Sequence, residues 1–338
     1  MDRREFLKFS AMIGTGFAFN SLVSPSVAFS QLAEAEEQPL YCGWSHSEES
    51  RKKFISLGPH QFLNSMDSEI RGTGAGKTAL LWPYLEQVTG KPLTPHRQEL
   101  GDCVSHGYGL GIDILTATQI VKRKSPQRWV AKASTELLYA AARIDVGRNI
   151  YNRSLRGDGA EGYWCAHAAK SCGVLLRQKY GKWDFTTYDG EVAKSLGYKG
   201  VPAELLPLAK CHPIGWAALV NTWDEARDCI YNGFPVVLCS NQGFSTKRGR
   251  DSQGFLSPSR TKWNHCMLLA GMDEACDRPG GLIINSWGSD WVDGPTRLNQ
   301  PLGSFWADSS VISRMISQGD SIALSSYAGY PRASYDIY

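Results

Sequence analysis

The sequence predicts an α+β protein with helices in its first half and strands in its second. Three observations carry this expectation. Four stretches between residues 103 and 232 have helical patterning, and two of them end on a glycine. After Gly233, three short apolar runs bounded by turn residues read as strands. Helices followed by strands, rather than alternating with them, point to segregated halves instead of a doubly wound sheet. The chain has 338 residues, of which 42% are hydrophobic, enough to bury a sizeable core. No run of 18 apolar residues occurs, which argues against a spanning helix. Lys and Arg (36) nearly balance Asp and Glu (33), so the totals give no electrostatic signature of a nucleic-acid binder.

The elements follow in order. Residues 1–30 carry Arg3-Arg4-Glu5-Phe6-Leu7-Lys8, then a moderately apolar stretch from Phe9 to Val23 containing Gly14 and Gly16, then Ala28-Phe29-Ser30. This arrangement resembles a twin-arginine signal peptide, with small residues where a signal peptidase would cut. The resemblance implies a bacterial protein that works in the periplasm or outside the cell and does not stay inserted in the membrane. Residues 31–95 are heavily punctuated by glycine and proline and read as an N-terminal leader or short propeptide. Within them, Arg71-Gly72-Thr73-Gly74-Ala75-Gly76-Lys77-Thr78 has the look of a phosphate-binding loop. The spacing fails, because Arg71 stands where the first glycine is needed and no apolar strand precedes it.

Residues 96–325 form the main domain. Cys103 to Lys124 is expected to be helical. It contains Gly107, Gly109 and Gly111, each costing a helix roughly 1 kcal/mol relative to alanine. Three such residues suggest a helix buried against close neighbours. Ser134–Arg143 is a second helix with Ser134 as N-cap, Ala160–Cys172 a third, and Trp223–Asn232 a fourth. Residues 234–239, 266–270 and 281–284 are the strands. Residues 326–338 form a C-terminal tail of no readable role.

Three stretches carry the chemistry. Gln98-Glu99-Leu100-Gly101-Asp102-Cys103 leads into the glycine-studded helix, His265 heads an apolar strand, and Asn285-Ser286-Trp287-Gly288 follows another. A thiol at a helix N-terminus sits at the positive end of the macrodipole, which favours the thiolate nucleophile. Asp102 beside it opposes that effect, since a carboxylate raises a neighbouring thiol's pKa. His106, one turn further on, is a rival base.

Asn-Ser-Trp-Gly after an apolar strand, a His-led strand before it and a Gln…Gly-x-Cys entry to a helix upstream together resemble papain-like cysteine peptidases. Gly157-Asp158-Gly159-Ala160-Glu161-Gly162 is similar to that family's glycine-rich substrate loop. The resemblance implies a two-lobed fold, with a helical half, an antiparallel sheet or barrel half and a cleft between them. It also implies a hydrolase that cleaves peptide or amide bonds through an acyl-enzyme. Carried over by position, Cys103 is the nucleophile, His265 the general base and Asn285 the group that orients the imidazole. Gln98 is an oxyanion-hole donor, and Gly162 and Trp287 contribute to substrate binding and shielding. A papain-fold binding or structural protein with impaired catalysis, and a cell-wall peptide amidase or transferase, are the alternatives. The partner implied is a peptide or protein substrate. No cofactor or metal is implied, and the chain is expected to be a monomer. Cys165, His167, Cys172, Cys211 and His212 lack the Cys-x-x-Cys spacing of structural zinc sites. Nine cysteines cannot all pair. If Cys103 stays free, the other eight allow up to four disulfides.

Overall fold

The computed structural model describes residues 41–57, 60–61, 67–125, 128–246 and 248–327. The twin-arginine-like segment and the tail from residue 328 lie outside the described residues. The described residues contain strands β1 (His60–Gln61), β2 (Thr78–Leu80), β3 (Lys179–Tyr180), β4 (Trp183–Asp184), β5 (Ile214–Leu219), β6 (Val236–Phe244), β7 (Pro258–Asp273), β8 (Gly280–Ile284), β9 (Ser304–Asp308) and β10 (Asp320–Tyr327). β3 and β4 form a small hairpin sheet. The other eight form one sheet in the order β1-β5-β10-β6-β7-β8-β9, with β2 added to β7. Only the β1–β5 pair is parallel; the remaining pairs in this sheet are antiparallel. The architecture is α+β, with the helices concentrated before β5, as the order of patterns in the sequence predicts.

The central element is the helix Cys103–Val121, buried along nearly its whole length. Its three glycines explain how it lies so close to its neighbours. A Cβ on Gly107 would come within 2.8 Å of Cys266 Sγ, on Gly109 within 2.8 Å of Thr135 Cγ2, and on Gly111 within 2.9 Å of Leu324 Cδ1. The helical cost of glycine is thus exchanged for close packing on β7, β10 and the helix Thr135–Ala140.

The expected helix at 134–143 continues instead as a π-helical segment, Ala141–Arg148. Ser134 occupies the N-cap position, but its hydroxyl donates to Glu136 Oε2 at 3.0 Å rather than capping. The third and fourth helices run Gly162–Ser171 and Trp223–Tyr231, and Thr222 caps the latter by accepting from the Glu225 N–H. Residues 78–89, inside the stretch read as a leader, supply β2 and the helix Trp82–Thr89. That helix buries Trp82 and Leu85 against the Cys103–Val121 helix. The phosphate-loop look-alike is a closed turn. The N–H groups of Gly72 and Gly74 donate to the Asp228 carboxylate at 2.7 and 3.0 Å, and that of Gly76 donates to Glu274 at 3.2 Å. Carboxylates therefore hold the amides that a phosphate would need. Among the described residues, no helix is long and apolar enough to cross a membrane.

Candidate active site

Cys103 is the first residue of the central helix, fully buried where the helix N-terminus meets β7. His265 lies on β7 opposite Ser240. The ladder shifts between the Ser240–His265 and Gln242–Lys262 pairs, so β7 bulges directly before the histidine. Asn285 follows the last residue of β8, and its Oδ1 lies 2.7 Å from His265 Nε2. An amide oxygen only accepts, so Nε2 carries the proton. Nδ1, buried and without a hydrogen-bond partner, is left as the basic nitrogen. Trp287 stacks on the imidazole at 4.6 Å between ring centres and covers the His265–Asn285 bond. Trp263 and Trp291 pack on Trp287 in turn.

Gln98 is held against the same turn. Its N–H donates to the Ser286 carbonyl at 2.9 Å, and its Oε1 accepts from the Ser286 hydroxyl. Its Nε2 donates to the Leu100 carbonyl at 2.8 Å and to the Tyr41 carbonyl at 3.0 Å. Gln98, Asn285 and His265 are therefore joined around the Ser286 turn, and the helix headed by Cys103 packs on the strand that carries His265.

Two sequence-derived expectations change here. Asp102 does not face the thiol. Its carboxylate accepts from the Tyr188 hydroxyl at 3.0 Å and lies 3.3 Å from His106 Nε2. That pairing also removes His106 as a rival base, since its other ring nitrogen meets His96 Nδ1 at 3.2 Å. Gly162 does not line the cleft edge. It opens the helix Gly162–Ser171 behind the edge, and its N–H donates to Asp320 at 2.8 Å. Gly159 and Ala160 are the residues of this loop that meet residues 43–45.

Residues 41–45 cross the cleft. The Trp44 N–H donates to the Asn264 carbonyl at 2.9 Å on the sheet side. On the helical side, the Ala160 N–H donates to the Gly43 carbonyl at 2.9 Å, and the Ser45 N–H donates to the Ala160 carbonyl at 3.0 Å. This is a parallel bridge. Trp44 is 8% exposed, and its indole N–H donates to the buried Asp320 at 2.8 Å. Glycine is required at both contact points. A Cβ on Gly43 would stand 1.7 Å from the Gly101 carbonyl oxygen, and one on Gly159 would stand 2.6 Å from the Gly43 oxygen. Gly159 also has φ +115°, in the region open to glycine.

This covering sets the electrostatics. Burial pushes the Cys103 thiol well above its ordinary pKa, and the Cys42 and Cys239 thiols push the same way. The backbone N–H groups of Cys266 and Gly43 directed at the sulfur oppose them. Burial outweighs the helix dipole here. Burial also lowers His265 to about 4, against the opposing effect of the Asn285 bond. Thiol and imidazole are accordingly both neutral, and no hydrogen bond joins them.

The sequence did not point to Arg143, Asp320 or the 41–45 segment. Arg143, on the π-helical segment, donates to the carbonyls of Gly159 at 2.6 Å and Gly157 at 2.7 Å and so fixes the glycine loop. Asp320 begins β10, far along the chain from its partners Trp44 and Gly162. The trace of the segment in the sequence is Gly43 between Cys42 and Trp44, a glycine next to a bulky anchor.

The fold is papain-like. The chain superimposes on xylellain, a cysteine protease from Xylella fastidiosa, with a TM-score of 0.51 and 16% identity over 86% of this chain and 95% of that one. It is also similar to the cysteine protease and lectin-like domains of Cwp84 from Clostridium difficile, with a TM-score of 0.47 and 14% identity over 88% and 63% of the two chains. A further similarity is to procathepsin L2 from Tenebrio molitor larval midgut, with a TM-score of 0.41 and 15% identity over 73% and 68%. No protein-family model and no curated protein sequence matches the chain. At these identities the likeness concerns the papain-like fold. The nine cysteines of this version of the fold are all free thiols, rather than up to four bridges around a free Cys103.

Proposed function

We propose that the protein is a papain-like thiol hydrolase acting on peptide or amide bonds, with its cleft covered by residues 41–45. The observation that carries this reading is the His265–Asn285 pair. Its 2.7 Å bond leaves Nδ1 as the basic nitrogen, on the strand that packs against the helix headed by Cys103. In this reading Nδ1 takes the Cys103 proton as the sulfur attacks the substrate carbonyl. Nδ1 then returns the proton to the leaving amine, and water activated by the same nitrogen releases the acyl group. Gln98 Nε2 donates to the oxyanion; its bond to the Tyr41 carbonyl supports this, because a carbonyl oxygen already occupies that position. Trp287 keeps water from the His265–Asn285 bond. Ala160 and Asn264, which hydrogen-bond the segment, offer the same groups to a substrate backbone once it leaves. The twin-arginine resemblance of residues 1–30 supports a periplasmic or extracellular site of action, which cell fractionation with and without Arg3→Lys/Arg4→Lys would check.

A profile against a fluorogenic peptide library tests the activity, using wild type and Cys103→Ser. The expected result is hydrolysis by wild type that Cys103→Ser abolishes. A second reading, a binding protein on this fold, is favoured by the lack of a Cys103–His265 hydrogen bond. The pH profile of Cys103 alkylation in Trp44→Ala, where the covering segment is released, separates the two. An active pair reacts well below neutral pH, whereas a response that rises only near about 8.5, the free-thiol value, overturns the hydrolase reading.

A further inference from the structure

We propose that Cys42 and Cys103 form a dithiol–disulfide pair with Cys42 as the resolving thiol, so that oxidation fixes the 41–45 segment over Cys103 and reduction frees it. The pairing rests on where the fold holds Cys42; its consequence for turnover rests on the hydrolase reading above.

The backbone on both sides of Cys42 is pinned beside the turn that leads into Cys103. Gln98 Nε2 holds the Tyr41 carbonyl at 3.0 Å, and the Ala160 N–H holds the Gly43 carbonyl at 2.9 Å. Gly43 packs so tightly on Gly101, two residues before the nucleophile, that no side chain fits between them. The Gly43 N–H, bonded directly to the Cys42 carbonyl carbon, is itself directed at Cys103 Sγ. A Cβ built on Gly101 would stand 3.1 Å from the Cys42 carbonyl oxygen and 3.3 Å from the Gly43 Cα, so the Cys42 backbone is held beside the turn that enters the helix at Cys103. Cys42 is half-buried, so its thiol is nearer to solvent than the fully buried Cys103. The other close thiol pair, Cys239 and Cys266 with sulfurs 3.2 Å apart across β6 and β7, is sealed in the core.

The oxidant is a small-molecule disulfide such as glutathione disulfide. When the segment lifts, the Cys103 proton passes to His265 and the thiolate attacks one sulfur of the oxidant. Its S–S bond breaks, and one thiolate leaves. Cys42, after losing its own proton, attacks the Cys103 sulfur of the mixed disulfide. The Cys42–Cys103 bond forms as the second thiolate leaves. Two protein thiols are oxidised and one disulfide is reduced to two thiols, which take up the two protons.

The test equilibrates the full chain in glutathione redox buffers. Free thiols are then trapped by alkylation, and the linked peptides are mapped without reduction. The expected result is a peptide pair joining Cys42 to Cys103, with Cys103 alkylation falling roughly tenfold or more in the oxidised protein. In Cys42→Ser the same conditions leave glutathione attached to Cys103, because no resolving thiol displaces it. The proposal is overturned if Cys42 stays alkylated throughout, if wild type keeps glutathione on Cys103 as the variant does, or if the only bridge formed is Cys239–Cys266. Peptide hydrolysis is measured separately. A mapped bridge in a protein that cleaves nothing when reduced upholds the pairing and defeats the hydrolase reading, and cleavage with no bridge does the reverse.

Discussion

Trp44→Ala tests whether the 41–45 segment is a cover or a fixed part of the core. Trp44 is 8% exposed and anchors the segment through its indole ring and a 2.8 Å bond to Asp320. Truncating a buried tryptophan costs about 3–5 kcal/mol. The flanking backbone bonds at Tyr41, Gly43 and Ser45 remain, so we take the lower end, about 3 kcal/mol, as the loss in docking free energy. At 1.4 kcal/mol per tenfold, the open population rises by about 10²-fold. With the segment docked, Cys103 is buried and its thiol is pushed well above its ordinary pKa. Its alkylation by iodoacetamide under native conditions therefore reports the open fraction. The expected result is a rise in alkylation rate of about 10²-fold, with cooperative unfolding retained. The same rise is expected in peptide hydrolysis. A variant that keeps a native thermal transition and alkylates Cys103 within a factor of about two of wild type would refute the reasoning.

Three further outcomes are expected. Asn285→Ala leaves the buried Nε2–H of His265 without its acceptor. Steady-state kinetics should then show kcat falling by about 10–100-fold, part of the 10²–10⁴ that a positioned general base supplies. Arg143→Met removes the donors that hold Gly157 and Gly159. Urea unfolding should show a loss of about 2–4 kcal/mol, since bonds from charged donors are worth about 1.5–3 kcal/mol each; Arg143→Lys, which lacks the planar fork, should recover only part of it. Burial raises Asp320 from 3.8 to about 7. The folded state thus favours its protonated form, and stability from this group is greatest below pH 3.8 and falls as pH rises to 7, by about 4 kcal/mol in all. Asp320→Asn should therefore flatten the decline of Tm between pH 5 and 8; an unchanged slope would contradict it. His265 acts with the opposite sign. With its pKa lowered to about 4, it costs stability as pH falls from 6.5 toward 4.

Features written in contiguous stretches of chain were legible in the sequence. The central helix was readable from Cys103 onward, and its three glycines announced close packing before any neighbour was known. Gln98, Cys103, His265 and Asn285 each sit in a short motif whose local pattern sets the backbone, so their convergence could be expected. What was not legible depends on contacts between distant stretches. Asp320 matters because Trp44 and Gly162, 276 and 158 residues away in sequence, share its Oδ2. Arg143 reads as an ordinary helical arginine until the π-helical turn aims it at the glycine loop. The helix and strand at 78–89 were hidden by flanking glycines and prolines, because their stability comes from β2 pairing with β7, Trp82 packing on Gly271 and the helix packing on the central helix rather than from local propensity.

The fate of Asp102 changes what the raised thiol pKa means. From the sequence, a carboxylate beside Cys103 argues for an intrinsically poor nucleophile, a defect that would persist in every conformation. In the fold, Tyr188 and His106 take that carboxylate away from the sulfur. The causes that remain are burial and the neighbouring thiols, first among them Cys42 on the covering segment. Cys239 on β6 stays in place, but Cys42 and the burial supplied by residues 41–45 are conditional. Lifting residues 41–45 rehydrates the sulfur, removes Cys42 and the Gly43 N–H together, and leaves the helix dipole and the free Nδ1 of His265 to act on the thiol. On the hydrolase reading, an unreactive Cys103 beneath residues 41–45 is therefore what a latent nucleophile requires. Alkylation at fixed pH, with the segment docked by wild-type Trp44 or released by Trp44→Ala, distinguishes the two origins. An intrinsic defect predicts that the Cys103 pKa stays above the free-thiol value after release, and a conditional one predicts that it falls below it.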